Sequence, residues 1–416
     1  MSRFAIRAFL AAAKRHLQKS LKEKTHTSFV IGNESADLDS ITCALVYGYI
    51  LSSKLEARKA GRFVIPVANI AASELPLRPE LTALLKHADI KPLELITLDD
   101  LGDEPLPVEK TDWTLVDHNA LQGKLGDLYR SRVTGVIDHH DDEKAVSRGV
   151  DVRIIEKSGS CNSLVTNHLR ETWQQLSDSA MTVGAAHPQD NVTLVDDFAY
   201  TSGWDAQVAK LALGAILIDT INMKAEHKVT DADKKAIRFL EAKIHISHKY
   251  GKDYDRDRFF QEIDDAKSDV SALSLEDLLR KDYKQWTEGD LTLGISSVVK
   301  PCQYLHKHKA ADGETFQCPL VRFAKSRNLN LFAVMPAFND NGTFERQLLL
   351  LALDDKGRAA AERFAENAKA KLELADGKDS PISGDAEVPY QMFWDQHNLE
   401  ASRKQVAPLL RGSMSS

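Results

Sequence analysis

The sequence predicts an α/β protein of two lobes: a doubly wound, mainly parallel sheet over residues 1–245, a linker over 246–258, and a smaller α/β lobe over 259–416. Three observations predict it. From Ser28 onward, short β-branched runs alternate with longer amphipathic ones, the pattern of parallel βαβ units. The candidate strands are short and apolar, as strands covered on both faces are. The chain has 416 residues, and at roughly 150 residues per domain that length suggests two domains with cores of their own.

The elements follow in order. Met1 to Leu21 carries Arg3, Arg7, Lys14, Arg15 and Lys19, with no acid before Glu23. One reading is a first amphipathic helix, with Phe4, Ala8, Ala11, Ala12, Arg15 and Lys19 spaced by threes and fours and packing on the domain. The other is a mitochondrial transit segment; the helix is the preferred reading. Strands are expected over Ser28–Gly32, Phe63–Val67, Leu93–Leu98, Trp113–Val116, Gly135–Ile137 and Val152–Ile155. A helix over Asp39–Ser53, with Asp39 or Ser40 as its cap, follows the first strand. Gln174–Asp205, with little periodicity, reads as a surface insertion, and Leu211–Met223 and Asp231–His245 read as helices. The second lobe should hold helical material over Phe259–Trp286 and strands over Thr292–Val299 and Leu329–Val334. A hairpin over Phe338–Leu351, turning at Asn339, Asp340, Asn341 and Gly342, and a helix over Gly357–Ala375 complete it.

Composition removes several function classes. Lys plus Arg is 54 against 61 Asp plus Glu, a net charge of -7, so no general attraction to nucleic acid or anionic lipid is expected and an anionic ligand needs a local basic patch. No stretch reaches the ~20 apolar residues of a membrane span. The four cysteines, Cys43, Cys161, Cys302 and Cys318, are scattered without a CxxC pair or secretory leader, which predicts reduced thiols and a cytoplasmic protein, with a mitochondrial address as the second reading. No obligate protein partner is evident.

Four acidic or histidine clusters fall where expected strands end: Asn33 with Asp37 and Asp39, Asp117 with His118, Asp138 with His139 and His140, and Asp219. Singly, each is ordinary helix-cap or core chemistry. Together, carboxylates converging at one sheet edge would repel one another unless cations neutralised them. Carboxylate oxygens with one or two imidazoles suit Mn²⁺ or Mg²⁺. A dinuclear site is expected, Asp37 and Asp39 aimed at neighbouring metals and Asp117 bridging. Two cations ~3.5 to 4 Å apart would clamp an attacking hydroxide and a phosphoryl oxygen. The predicted chemistry is hydrolysis of a phosphoester or phosphoanhydride. Candidate phosphate partners are Lys281 and Lys284, Arg346, and the run Ser402-Arg403-Lys404-Gln405.

The ordered set Gly32-Asn33-Glu34-Ser35-Ala36-Asp37-Leu38-Asp39-Ser40, Val116-Asp117-His118-Asn119, Asp138-His139-His140, Gly159-Ser160-Cys161-Asn162-Ser163 and Ile218-Asp219-Thr220 resembles the DHH phosphoesterase superfamily over residues 28–245. The later Leu278-Leu279-Arg280-Lys281-Asp282-Tyr283, Gly294-Ile295-Ser296-Ser297-Val298 and Ser402-Arg403-Lys404-Gln405 resemble its DHHA2 domain. The combination looks most like the fungal-type cytosolic exopolyphosphatases, relatives of family II inorganic pyrophosphatases and prune proteins. The resemblance implies Asp37, Asp39, Asp117, His139 and Asp219 as ligands of two divalent cations, Mn²⁺ or Mg²⁺, with His140 beside the bridging position. Asn33 stands where family II pyrophosphatases carry a ligating histidine, which argues against pyrophosphate as the main substrate. It also implies inorganic polyphosphate as substrate, with Asp117, His140 and Asn33 as the catalytic group and Lys228, Arg346, Ser402, Arg403 and Lys404 as phosphate contacts. The alternatives are a pyrophosphatase, a prune-like hydrolase of short polyphosphates or nucleotides, and a catalytically weak scaffold.

Overall fold

A computed structural model describes residues 5–185, 191–271, 273–309, 315–340, 342–377 and 390–415. The chain divides into two compact units, Met1–Lys267 and Ser268–Ser416. The segment 246–258 carries a short helix, His248–Gly251, and the start of the helix Arg256–Ser268.

The first unit is built on six parallel strands: β1 (Thr27–Ile31), β2 (Val64–Ala68), β3 (Ile96–Thr97), β4 (Thr111–Val116), β5 (Val133–Asp138) and β6 (Val152–Ile155), in the order β3-β2-β1-β4-β5-β6. The chain winds outward from β1 through β2 to β3, then returns to lay β4 on the other side of β1. The winding therefore reverses between β1 and β4, whose carboxyl ends lie side by side with Ile31 opposite Leu115. Neighbouring strands lead their chains away in opposite directions there, leaving a crevice at the sheet edge. The strand expected over Leu93–Leu98 contracts to Ile96–Thr97, because Pro92 opens one tight turn and a Thr97–Asp100 capping box opens the next.

The helix after β1 runs Leu38–Ser52 and is buried on almost every side. Its cap is Asp37 rather than Asp39 or Ser40: Asp37 is extended, and its carboxylate accepts the Ser40 N–H at 3.0 Å. Asp39 sits within the first helical turn. Gly32 is required where β1 enters this turn, since a Cβ there would lie 2.6 Å from that of Ser40.

The N-terminal segment forms a helix, Ile6–Glu23, but its buried face is not the expected one. Ile6, Phe9, Leu10, Ala13 and Leu17 face the core, with the Phe9 ring edge-on to Tyr49 at 5.6 Å, while Ala8, Ala11, Arg15 and Lys19 are exposed. Lys14 pairs with Asp100 at 2.7 Å. Arg3 and Phe4 lie outside the described residues.

The described ends of Gln174–Asp205, expected to be a surface insertion, are helical and partly buried. They belong to two long helices, Cys161–Ala185 and Asn191–Asp219, residues 186–190 lying outside the described set. Trp173 and Ser177 donate to the two oxygens of buried Asp205, at 2.8 and 2.6 Å, and buried Lys243 donates to Ser177 at 2.7 Å. A polar network does here what an apolar stripe does elsewhere, so no hydrophobic period marks it.

The second unit folds on a mixed sheet of β7 (Tyr283–Glu288), β8 (Leu291–Val298), β9 (Leu331–Asp340), β10 (Thr343–Ala352), β11 (Leu374–Asp376) and β12 (Tyr390–Gln396), ordered β11-β12-β10-β9-β8-β7. Among the described residues, only β8 and β9 of this sheet pair in parallel. The stretch expected to stay helical to Trp286 breaks after Lys281 and becomes β7, whose residues pair with β8 up to Glu288. β9 and β10 form the expected hairpin; Asn341 of its turn lies outside the described residues. The helices Asp355–Leu372 and Arg403–Met414 cover one face, burying Phe364, Val406 and Leu410 against Leu348, Leu350 and Trp394.

Candidate active site

The strand ends of the first unit gather the acidic residues at the β1/β4 reversal. Asp117 directly follows β4 with a backbone φ of 60°, and Ala36, in the loop after β1, has a φ of 43°. Each costs about 1–3 kcal/mol in a residue with a Cβ, and both lie in the loops that carry the acids. The Ala36 loop is held by buried Arg78, whose Nε donates to the Ala36 carbonyl at 2.6 Å and whose Nη2 donates to that of Ser35.

Asp117 is 2% exposed. Its Oδ2 accepts from Ser40 Oγ at 2.6 Å and Asn33 Nδ2 at 2.9 Å, while its Oδ1 lies 3.2 Å from His139 Nε2 and 3.7 Å from His140 Nδ1. Burial, followed by the charges of Asp37 and Asp39, pushes the Asp117 carboxyl up to about 6. Asp219, at the end of the helix Asn191–Asp219, is pushed well above the carboxylate range by burial and then by Asp39 and Asp37. Its Oδ2 is buried and accepts no hydrogen bond from the described residues. Asp39 is different. Burial works against its charge, but His139 and the donors Ser160, Asn162 and Cys161 outweigh it and hold the carboxyl low.

His139 directly follows β5. Its Nδ1 meets the Ser158 carbonyl at 3.0 Å, which leaves Nε2 toward Asp117. Burial would lower its pKa, yet the hydrogen bond to Asp117 and the charges of Asp39, Asp117 and Asp219 raise it to about 10. His140 is oriented by Asp138, with Nδ1 2.8 Å from Asp138 Oδ1. Burial pushes Asp138 up, but His140 and Asn119 outweigh it and bring its carboxyl down to about 2.

The donor set fits divalent cations. Asp37, Asp39, Asp117, Asp219 and His139 act on one another electrostatically within one cluster, and one buried oxygen of Asp219 has no partner among the described residues. Ligand atoms of Asp117, His139 and His140 all lie within 4.8 Å of one another. An imidazole whose Nδ1 is fixed on a backbone carbonyl and whose Nε2 faces a carboxylate is the usual preparation of a metal-binding histidine. Exposed Asp37 contributes through its charge, one of its oxygens being taken by the Ser40 cap. Asn33 contributes as a donor to Asp117, its own Oδ1 accepting the Ser35 N–H at 2.9 Å.

Arg346, Ser402 and Arg403 are engaged within the second unit. Lys228 is exposed in the turn between Asp219 and the helix Asp231–Ile246. In the second unit Arg346 is half-buried, donating to the Leu399 carbonyl at 2.7 Å. Ser402 caps the last helix and shares a capping box with Gln405. Arg403 bonds Asp282 through the backbone carbonyl at 2.8 Å and the carboxylate at 2.6 Å, and Lys404 is exposed. Sequence reasoning missed Ser40, Arg78, Asp138 as the partner of His140, and Asp233. The Asp233 carboxylate has a sequence signal, the Thr230-x-x-Asp233 capping pattern, but that pattern speaks only of a helix start.

Comparison with known proteins completes the picture. The N-terminal domain of the DHH family matches residues 27–187 and the DHHA2 domain matches residues 261–413. A Schizosaccharomyces pombe protein named "Putative exopolyphosphatase" is 36% identical over 389 residues, 93% of this chain and 91% of its own. The Homo sapiens protein named "Exopolyphosphatase PRUNE1" is 27% identical over 403 residues, 95% of this chain and 77% of its own. A manganese-dependent inorganic pyrophosphatase of Methanothrix thermoacetophila is 25% identical over 272 residues, 65% of this chain and 69% of its own. Among solved structures, one titled as a Methanococcus jannaschii "putative family II inorganic pyrophosphatase" covers 94% of this chain and 100% of that chain, with a TM-score of 0.56 and 18% identity, a likeness of fold. The chain belongs to the DHH family of phosphoesterases, with a DHH N-terminal domain followed by a DHHA2 domain.

Proposed function

We propose that the protein is an exopolyphosphatase, removing the terminal phosphoryl group of inorganic polyphosphate as orthophosphate with two divalent cations, Mn²⁺ or Mg²⁺. The observation that carries this reading is the buried acid cluster at the β1/β4 reversal, above all the Asp219 oxygen that no donor among the described residues satisfies. Cations bound there supply positive charge to the phosphoryl oxygens and acidify water. Asp37, Asp39, Asp117, His139 and Asp219 are their proposed ligands.

The remaining steps belong to the chain. Ser40 and Asn33 fix one oxygen of Asp117 and so aim the other toward His139. Asp138 holds Nδ1 of His140, leaving Nε2 to give a proton to the departing phosphate oxygen. Lys228, Arg346 and Lys404 are proposed contacts for neighbouring phosphates. Arg403 joins them by exchanging Asp282 for phosphate, and Ser402 holds the helix start that presents both basic residues. Relatives named as exopolyphosphatases support the long-chain substrate, and those named as pyrophosphatases make the short one the rival.

Orthophosphate release from long-chain polyphosphate, tripolyphosphate and pyrophosphate, each with Mn²⁺, Mg²⁺, Zn²⁺ or chelator, tests the reading. Metal-dependent release from the longer chains with little from pyrophosphate is the expected result. Preference for pyrophosphate would overturn the substrate assignment, and silence on all three would favour a scaffold.

A further inference from the structure

Asp233 is fully buried, at 0% exposure, in the first turn of the helix Asp231–Ile246. Its Oδ2 accepts from Thr230 N at 2.7 Å, Thr230 Oγ1 at 2.8 Å and Gly159 N at 2.9 Å; its Oδ1 accepts from Ser163 Oγ at 2.6 Å and Ser160 N at 3.3 Å. Helix capping accounts for the two Thr230 contacts. It does not account for the other three, which all come from the turn Gly159–Ser163, distant in sequence.

That turn presents four further donors to the Asp39 carboxylate. Ser160 Oγ and Asn162 Nδ2 each reach Asp39 Oδ1 at 2.7 Å, Asn162 N reaches it at 3.0 Å, and Cys161 N reaches Oδ2 at 2.7 Å. The turn is therefore clamped between two buried carboxylates. It also touches the residue after Asp219: a Cβ on Gly159 would lie 2.6 Å from Thr220 Cγ2 and 3.1 Å from Asp233 Oδ2. One turn thus bonds Asp39 and packs on the neighbour of Asp219, and Asp233 fixes its far side.

We propose that Asp233 is a positioning residue for Asp39, acting through the Gly159–Ser163 turn, and that it sets divalent-cation affinity at the β1/β4 reversal. This rests on the metal-site reading above. A carboxylate accepts at both oxygens, and all five of its contacts here are donors. In Asp233→Asn, the new amide N–H₂ opposes donors at one of the two positions, so the turn shifts and Asp39 loses part of its hydrogen-bond shell.

Calorimetric titration of Mn²⁺ into the full chain, without substrate, is the test. Asp233→Asn is expected to weaken Mn²⁺ binding about tenfold or more, the usual effect of removing an outer-shell partner. At saturating Mn²⁺, kcat on tripolyphosphate should fall while KM stays unchanged. Ser160→Ala should weaken Mn²⁺ in the same direction, and combining the two should cost less than the sum, because both act through Asp39. A lowered melting temperature with unchanged Mn²⁺ affinity would make Asp233 a helix cap alone and overturn the proposal. If Asp233→Asn does not fold, Ser160→Ala and Ser163→Ala carry the test: weakened Mn²⁺ binding in both supports it, and unchanged binding in both overturns it. A wild type that binds no Mn²⁺ would overturn the proposal together with the metal-site reading. A wild type that binds Mn²⁺ but spares polyphosphate would overturn only the substrate reading, and an Asp233→Asn loss of affinity would still support the positioning role.

Discussion

The two units handle charge in opposite ways. At the sheet edge of the first, acids are brought together faster than the chain can satisfy them: Asp117 and Asp219 are driven upward by burial and by the charges of Asp37 and Asp39, and an Asp219 oxygen has no donor among the described residues. In the second, much of the basic motif is satisfied by the chain itself. Ser402 and Gln405 close a capping box, Arg403 bonds Asp282, and Arg346 bonds a backbone carbonyl. The contrast teaches that unrelieved charge marks a site more sharply than charge alone, because an unrelieved buried group costs stability that only a ligand can return.

His140→Ala removes the proposed proton donor and should lower kcat on the order of 10²-fold; a Michaelis constant that rises while kcat holds would make His140 a binding residue instead. Protons should compete with cations at the acid cluster. A carboxyl pushed up to about 6 takes up a proton below that pH, and the His139 imidazole, raised to about 10, holds one across the neutral range, so Mn²⁺ affinity should fall as pH drops from about 8 and fall more steeply below about 6, by up to about tenfold per unit for each proton displaced. Affinity that is constant from pH 7.5 to 5 would contradict the uncompensated state of Asp117. Arg403→Ala should act mainly on KM, by several-fold, since its guanidinium must leave Asp282 before gripping phosphate. Unchanged steady-state constants would reduce it to a tether for the last helix. Smallest of all, Ser402→Ala should cost about 1 kcal/mol of stability through the lost cap, read as a lower melting temperature with kcat retained; a large fall in kcat would instead place the hydroxyl on substrate.

Much of this was legible in the sequence, and the illegible parts share a cause. Strand ends bearing Asp117 and His139 could be read because short apolar runs stop abruptly at polar residues. The helical pair around Trp173, Ser177, Asp205 and Lys243 could not, since its interior is partly polar and leaves no apolar stripe. The first helix was expected but with the wrong face inward, because alanines and lysine stems repeat at the same spacing as Phe9, Leu10 and Leu17. In the site, the acids announced themselves by clustering, whereas Arg78 and Asp233 reach it through folded loops that no local spacing encodes.

On the reading proposed above, the acid cluster at the β1/β4 reversal holds the cations on which phosphohydrolysis depends. The most direct measurement strips wild type and Asp117→Asn with chelator, adds back Mn²⁺, and records both bound metal per chain and orthophosphate release from polyphosphate. About two Mn²⁺ per wild-type chain with full return of turnover is the expected result, with weakened binding and turnover down on the order of 10³-fold in the variant. Turnover that survives the chelator, or an Asp117→Asn protein that binds and hydrolyses as wild type does, would contradict it.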